Sequence, residues 1–162
     1  MDVAVHDLVD ALGLAAHPEG GFYRETYRAP ATVPTPRGER SASTAILFLV
    51  TRGSFSALHR IASDEVWHFH AGGALEIVTI DRGTRRDLRL GLDLAHGERP
   101  QHVVRAGAWF GARLAAADAD YALVSCTVAP GFDFADFELA DRAELTATFP
   151  EHAAIIASLT RQ

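Results

Sequence analysis

The amino-acid sequence predicts an all-β protein, an antiparallel sandwich or barrel with a short helix near each end. Two observations predict this class: many short segments rich in branched and aromatic residues, and Gly-containing turns that separate them. The strand patterns follow one another without the crossover helices that a parallel sheet needs. At 162 residues the chain has the length of one domain, and we assign residues 1–162 to it.

The N-terminal quarter contains a helix, a strand and a loop. Residues 2–12 carry apolar side chains at helical spacing and precede Gly13, which predicts a short amphipathic helix. The turn cluster at residues 17–21 precedes a strand over residues 22–28. Residues 29–40 contain three prolines and one glycine, so we expect a loop there.

The remainder is predicted to be strands up to a C-terminal helix. Pro150 suits a helix start, and the apolar stripe that follows it predicts a helix. The predicted strands cover residues 44–50, 54–61, 66–70, 74–80, 87–90, 102–105, 108–114 and 121–128.

The charge and the cysteine content of the sequence exclude several kinds of partner and site. With 21 acidic and 15 basic residues the net charge is −6, and we expect no nucleic-acid partner, because such a surface needs clustered Lys and Arg. Cys126 is the only cysteine, so no intrachain disulfide or thiolate cluster can form. The sequence has no apolar run of ~20 residues and no basic leader, so we expect a cytoplasmic protein without a membrane span.

Candidate site residues cluster around one predicted hairpin. His59, His68 and His70 fall within twelve residues, together with Glu65. A narrow barrel that holds a histidine and a glutamate on adjacent strands can build a metal or proton-transfer site. We therefore expect His59 and Glu65 to meet in a closed pocket because their strands lie side by side.

Strand alternation predicts which neighbours face that pocket. If Glu65 points inward, then Trp67 and Phe69 do too, while His68 and His70 face outward. Two further predicted pocket-lining residues are Phe48 and Phe110. In the first strand, Tyr23 and Glu25 share the face that we assign to the pocket, although the opposite face with its two arginines is an open alternative.

The sequence resembles the cupin superfamily. The first cupin motif has glycine, five residues, His-x-His, three or four residues, glutamate, six residues and glycine. This chain matches it at Gly53, His59, Glu65 and Gly72, with Ile61 in place of the second histidine. The second motif, Pro-x-Gly-x-x-His, corresponds to residues 105–110, where only Gly107 is kept and Phe110 replaces the histidine.

Three further motifs resemble the cupin-type-5 family, a former domain-of-unknown-function family. They are residues 17–26 (HPEGGFYRET), 63–69 (SDEVWHF) and 129–132 (APGF), and they extend over nearly the whole chain. The resemblance implies a cupin-type antiparallel jelly-roll barrel that forms a homodimer. It implies no settled reaction.

The resemblance also bears on cofactors. A typical cupin metal is held by three histidines and one glutamate, and of those positions only His59 and Glu65 keep a ligand here. Catalytic zinc usually has three protein ligands. We therefore favour no cofactor, with His59 and Glu65 as the ligands if a divalent metal binds.

Three functions follow as hypotheses, all with a small-molecule ligand. The first is a metal-independent isomerase or epimerase on a carbohydrate-like or other small polar substrate, with His59 as general base and Glu65 orienting it or carrying a second proton, by analogy with cupin-fold sugar epimerases. The second is a non-catalytic binding protein with aromatic walls. The third is a metal-dependent cupin enzyme with the reduced ligand set His59 and Glu65.

Overall fold

The computed structural model describes residues 4–161 and consists of two antiparallel sheets packed face to face. The large sheet has the strand order β1-β2-β5-β12-β7-β10, and the small sheet has the order β13-β6-β11-β8-β9. The strands are β1 (Ala15–Ala16), β2 (Phe22–Arg28), β3 (Thr32–Thr35), β4 (Gly38–Ser41), β5 (Thr44–Thr51), β6 (Phe55–Arg60), β7 (Asp64–Gly72), β8 (Leu75–Asp81), β9 (Thr84–Leu90), β10 (Gln101–Val104), β11 (Trp109–Leu114), β12 (Tyr121–Ala129) and β13 (Glu138–Leu139). This is the predicted jelly roll.

Three helices flank the sheets: α1 (Val5–Leu12), α2 (Arg142–Thr148) and α3 (Ala153–Ser158). Gly13 ends α1 in the left-handed conformation, as its position predicts; residues 2 and 3 of the predicted helix lie outside the described residues. No helix over residues 4–161 has the length and apolar character that a bilayer crossing requires.

The structure differs from the sequence prediction mainly at residues 29–40 and 142–148, besides the two-residue strands β1 and β13, which were not predicted. The expected loop at 29–40 contains a separate hairpin, β3–β4, and Pro34 is tolerated there because a two-stranded ribbon has free edges. Helix α2 was not predicted. Its start carries a capping signal, because the Asp141 side chain accepts a hydrogen bond from the Glu144 backbone N–H at 2.9 Å.

The core has two parts, on either side of the small sheet. Between the sheets, rings and branched side chains from both form one cluster, which includes Phe48, Trp67 and Phe110. Outside the small sheet, α2 and α3 cover a second cluster formed by Leu58, Val78, Ile80, Leu145, Ile155, Ile156 and Leu159. One face of β6 therefore packs on the helices, and the other faces the large sheet.

The positions of β6 and β7 correct one expectation. The two strands are not side by side: β6 pairs with β11 and β13, and β7 pairs with β12 and β10. His59 and Glu65 therefore approach each other from different sheets. The turn that joins β6 to β7 passes from the small sheet to the large one, which is how a sandwich brings two sequence neighbours to its interior.

Candidate functional site

A cavity of about 490 Å³ lies between the two sheets. Its buried inner part, here called the floor, is formed by Glu19, His59, Glu65 and Cys126. Its exposed outer part, here called the rim, includes Glu25, Arg28 and Phe134. A cleft of this size, with a buried floor and a few converging polar groups, is typical of a small-molecule site.

Four of the predicted site residues line this cavity, and four do not. His59, Glu65, Tyr23 and Glu25 are in its wall. Phe48, Trp67 and Phe110 are instead fully buried in the core between the sheets, where the Trp67 ring lies 5.9 Å from that of Phe48 and 6.3 Å from that of Phe110. Phe69 packs against the same cluster. The inward alternation was right for Trp67, but the ring fills the barrel instead of facing a void.

The rings of the core still shape the floor from behind. The Phe110 ring centroid lies 4.1 Å from that of His59. Phe110 occupies the position where the second cupin motif has a histidine, so an apolar ring packs on His59 where other cupins carry a ligand.

His59 is fixed by hydrogen bonds at both ring nitrogens. Nδ1 lies 2.7 Å from the Ala57 carbonyl oxygen, and Nε2 lies 2.8 Å from Glu19 Oε2. A carbonyl oxygen only accepts, so Nδ1 carries a proton, and Nε2 shares a second proton with the Glu19 carboxylate. Both side chains are buried.

This pair favours its ionic form. Burial acts to lower the pKa of His59, but the charge and hydrogen bond of Glu19 outweigh it, so the pKa of His59 lies above its ordinary value. Burial likewise acts to raise the pKa of Glu19, and the adjacent His59 lowers it below its usual range. In this ionic form both nitrogens of His59 carry hydrogen-bonded protons, so no lone pair is left for the general-base role expected from the sequence.

Glu19 reaches His59 because of the turn at residues 17–21. The Glu19 N–H donates to His17 Nδ1 at 3.1 Å, and the Glu19 carbonyl accepts from the Ala57 N–H of β6 at 2.7 Å. Gly21 has φ +76°, and a Cβ there would lie 2.7 Å from the Leu49 carbonyl oxygen of β5. Only glycine lets this turn approach the sheet so closely.

His17 is the neutral counterpart of His59. Its Nδ1 accepts the Glu19 N–H, which leaves the proton on Nε2. Burial lowers the pKa of His17, the neighbouring His59 lowers it further, and the Glu19 charge only partly opposes them. The His17 ring packs edge-on against Tyr23, with centroids 4.4 Å apart. The opposite pKa shifts thus favour different protonation states for the two histidines.

Glu65 is the titrating group of the floor. Burial raises its pKa to about 7; the His59 charge opposes this shift and the Glu19 charge reinforces it. The Cys126 thiol lies beside the carboxyl, and burial together with the Glu65 charge raises the pKa of Cys126 far above its usual range. Cys126 is therefore a thiol, and Glu65 is the carboxyl that changes charge near neutral pH.

The rim combines an ion pair with aromatic rings. Arg28 donates from Nε and Nη2 to the two carboxylate oxygens of Glu25, both at 2.8 Å. These two residues lie on one side of the strand because a bulge between Glu25 and Tyr27 changes the alternation, so each of the two faces considered from the sequence contributes a residue. Tyr27 is exposed.

The aromatic part of the rim comes from residues 132–137. Phe132, Phe134 and Phe137 have ring centroids 4.9 to 6.2 Å apart and all line the cavity. The unpredicted hairpin holds this segment, because Arg40 of β4 donates to both carboxylate oxygens of Asp136 at 2.8 and 2.9 Å.

The residues present do not fit the usual cupin metal. Two of the four ligand positions are Ile61 and Phe110, and both nitrogens of His59 already have partners. Over residues 4–161 no group of three or more His, Cys, Asp or Glu side chains is arranged to hold a metal ion. His68 and His70 do not compensate, because they bond Thr127 and Ser125 on the other face of the large sheet.

Sequence reasoning missed several residues of the site. Glu19 and His17 lie in the HPEGG motif that carried the family resemblance, yet the motif was interpreted as a turn alone. Cys126 was considered only for disulfides and thiolate clusters, so its contact with Glu65 was missed. The three rim phenylalanines had no periodic pattern that could identify them.

Known proteins with similar sequences and structures agree with this architecture. Residues 6–140 match the family described as Cupin superfamily (DUF985). Protein SO0799 from Shewanella oneidensis is 40% identical, with a TM-score of 0.91 over 99% of each chain. A hypothetical protein from Leishmania major is 37% identical, with a TM-score of 0.92 over 99% of this chain and all of the other.

A curated relative extends the match to yeast. The uncharacterized Saccharomyces cerevisiae protein YML079W is 30% identical over 148 residues, which span 82% of this chain and 73% of the yeast protein. The family model, which matches residues 6–140, covers the HPEGG turn, β6, β7 and β12, and hence every residue of the floor. The chain therefore belongs to the DUF985 family of the cupin superfamily.

Proposed function

We propose that this cupin binds a small polar molecule in the cavity and moves a proton on it, as an isomerase or epimerase, with the Glu65 carboxyl as proton carrier. The observation that carries the proposal is a buried carboxyl with a pKa of about 7 in the wall of an accessible cavity. A proton carrier works best when its pKa lies near the working pH. Groups with such shifted pKa values concentrate at functional sites.

In the proposed reaction, Glu65 and His59 have different roles. The Glu65 carboxylate would take a proton from a carbon next to a carbonyl, and the electron pair of the C–H bond would move onto the carbonyl oxygen. The imidazolium of His59 would stabilise that oxyanion by its charge, since its nitrogens are occupied by Ala57 and Glu19. Return of the proton from Glu65 to the same or the neighbouring carbon completes the reaction, without oxidant or reductant.

The rim supports a ligand with both polar and apolar surface. Rings of Tyr23, Phe132 and Phe137 offer faces for a sugar ring or a similar flat surface, and the Glu25–Arg28 pair offers charged donors and acceptors. A non-catalytic binding protein is the second candidate, and the aromatic lining favours it equally. Only proton exchange distinguishes the two.

The test is exchange of ligand protons with solvent. A panel of aldoses, ketoses and 2-oxo acids is incubated with the protein in D₂O, with binding followed by saturation-transfer NMR and deuterium incorporation followed by loss of the C–H signal. We expect at least one compound both to bind and to exchange. Glu65→Gln should bind it and exchange it on the order of 10²–10⁴ times more slowly. Glu151→Gln, on the exposed surface outside the cavity, is the matched control.

Two results would count against the proposal. Unchanged exchange in Glu65→Gln would remove the proposed carrier, and tight binding with no exchange for any compound would leave the binding-protein alternative. From the composition and the family resemblance we also propose a cytoplasmic protein without a nucleic-acid partner. We further propose that it is a homodimer, and light scattering after size exclusion measures the mass that tests this.

A further inference from the structure

The C-terminal segment, residues 159–161, runs alongside β6 at the level of the site. The Leu58 N–H donates to the Leu159 carbonyl at 2.8 Å, and the Leu159 side chain is fully buried. This contact places Arg161 next to the strand that carries His59. The family match ends at residue 140, so Arg161 lies beyond it.

Arg161 directs its guanidinium to two backbone carbonyls near the floor. Nη1 donates to the Glu19 carbonyl at 2.5 Å, Nη2 donates to the Phe55 carbonyl at 2.9 Å, and the guanidinium carbon lies 4.3 Å from the Phe55 ring centroid. No carboxylate of residues 4–161 forms an ion pair with Arg161. A charged donor on a neutral carbonyl makes a stronger hydrogen bond than a neutral donor does.

Gly20 is matched to this arrangement. It has φ +109°, and a Cβ at this position would collide with both the Phe55 carbonyl oxygen and Arg161 Nη2. The guanidinium therefore occupies the space that the missing side chain leaves. The second glycine of the HPEGG motif, Gly21, is required by its close approach to β5. Each of the two glycines therefore permits a different close contact.

We propose that Arg161 is a positioning residue of the site: it holds the backbone at Glu19 so that the Glu19 carboxylate stays within hydrogen-bond distance of His59. The inference rests on the site of the proposed function, but it does not need that function to be catalytic. The Glu19 carbonyl accepts from two donors, the Ala57 N–H and Arg161, and only Arg161 lies outside the family-matched residues 6–140.

The experiment follows the titration of His59 by NMR in protein with labelled histidine. The titratable groups that interact with His59 are Glu19 and His17 of the turn and Glu65 of β7, which in turn contacts Cys126 of β12, and the histidines and carboxyls among them are titrated in the same series. In Arg161→Met we expect the pKa of His59 to fall by about one unit, because a displaced carboxylate no longer stabilises the imidazolium.

The direction of the His59 pKa shift distinguishes a positioning role of Arg161 from a direct effect of its charge. Loss of a nearby cation alone would raise the pKa of His59, whereas loss of the Glu19 contact lowers it. Arg161→Lys keeps the charge and should show a smaller fall. Gly20→Ala should move the pKa of His59 in the same direction as Arg161→Met, by displacing the guanidinium.

Arg142→Met is the matched control. Arg142 also anchors the C-terminal segment, donating to Thr160 Oγ1 at 2.8 Å, but it does not contact the turn. We expect it to lower the melting temperature and leave the His59 titration unchanged. An unchanged or raised pKa of His59 in Arg161→Met would overturn the proposal whether or not any proton exchange is found. If Arg161→Met does not fold, Arg161→Lys and Gly20→Ala decide by the same readout.

Discussion

Glu19 and Glu65 are the same residue type, are buried in the same floor and both interact with His59, yet their pKa values shift in opposite directions. Glu19, on the β6 side, has an imidazolium at 2.8 Å and a pKa below its usual range. Glu65, on the β7 side, has only the weak thiol donor of Cys126 beside it and a pKa of about 7. Burial is common to both, so the partner decides which carboxyl keeps its charge.

The largest effect is expected on the paired side. Glu19→Gln leaves His59 in the floor without a counterion and should lower the free energy of unfolding at pH 7 by about 3–5 kcal/mol. Urea denaturation of both proteins measures this difference. A Glu19→Gln protein as stable as the wild type would contradict this prediction, because the ion pair would then add no more stability than the neutral amide that replaces the carboxylate.

Substitution on the unpaired side should have the opposite sign. The pKa of Glu65 is raised in the folded state, so its contribution to stability is complete below about pH 4.5 and is lost as pH rises through about 7. Because the shift is from 4.5 to about 7, the ionised carboxylate costs about 3 kcal/mol at pH 9.

Glu65→Gln should therefore be more stable than the wild type at pH 9 by up to about 3 kcal/mol, with little difference at pH 5. Denaturant titrations at pH 5, 7 and 9 give the comparison. Parallel stability curves for the two proteins would mean that Glu65 does not titrate near neutrality.

A smaller change adjusts the environment of Glu65 itself. A hydroxyl donates a stronger hydrogen bond than a thiol, so Cys126→Ser should lower the pKa of Glu65, and Cys126→Val should raise it. We expect each shift to be below about one unit. Carbon-detected NMR of the Glu65 carboxyl measures both variants, and shifts of the same sign would show that packing, not the donor, controls this pKa.

The smallest expected effect is that of added metal. Because His59 is bonded at both nitrogens, dialysis against chelator should leave the proton exchange rate unchanged, and Zn²⁺ or Mn²⁺ should not raise the melting temperature. A ligand at 100 times its Kd would stabilise the fold by about 2.7 kcal/mol, a shift that thermal denaturation detects easily. If the wild-type protein held stoichiometric metal and the His59→Ala protein held none, His59 would be a metal ligand. Its assignment as the counterion of Glu19 would then be wrong.

Much of this structure could be predicted because short-range patterns determine it. The strands, the terminal helices and the inward position of Glu65 follow from apolar periodicity and turn residues, which act over a few residues. The hairpin at 32–41 was missed because prolines argue against a strand. Proline is nevertheless tolerated on an unpaired strand edge, and the sequence does not show that these strands have one. Helix α2 was missed because its length is only seven residues and its capping signal went unused.

By itself the sequence determined the fold, the family and the two anchors His59 and Glu65, because motif spacing and alternation are properties of the chain. Tertiary structure alone decided their chemistry. It brought Glu19 to His59 from 40 residues earlier in the chain, filled the barrel with Phe48, Trp67 and Phe110, and gave Glu65 the Cys126 thiol as a donor where Glu19 has an imidazolium. Protonation depends on burial and on the partner in contact, and both are set only when distant segments pack together.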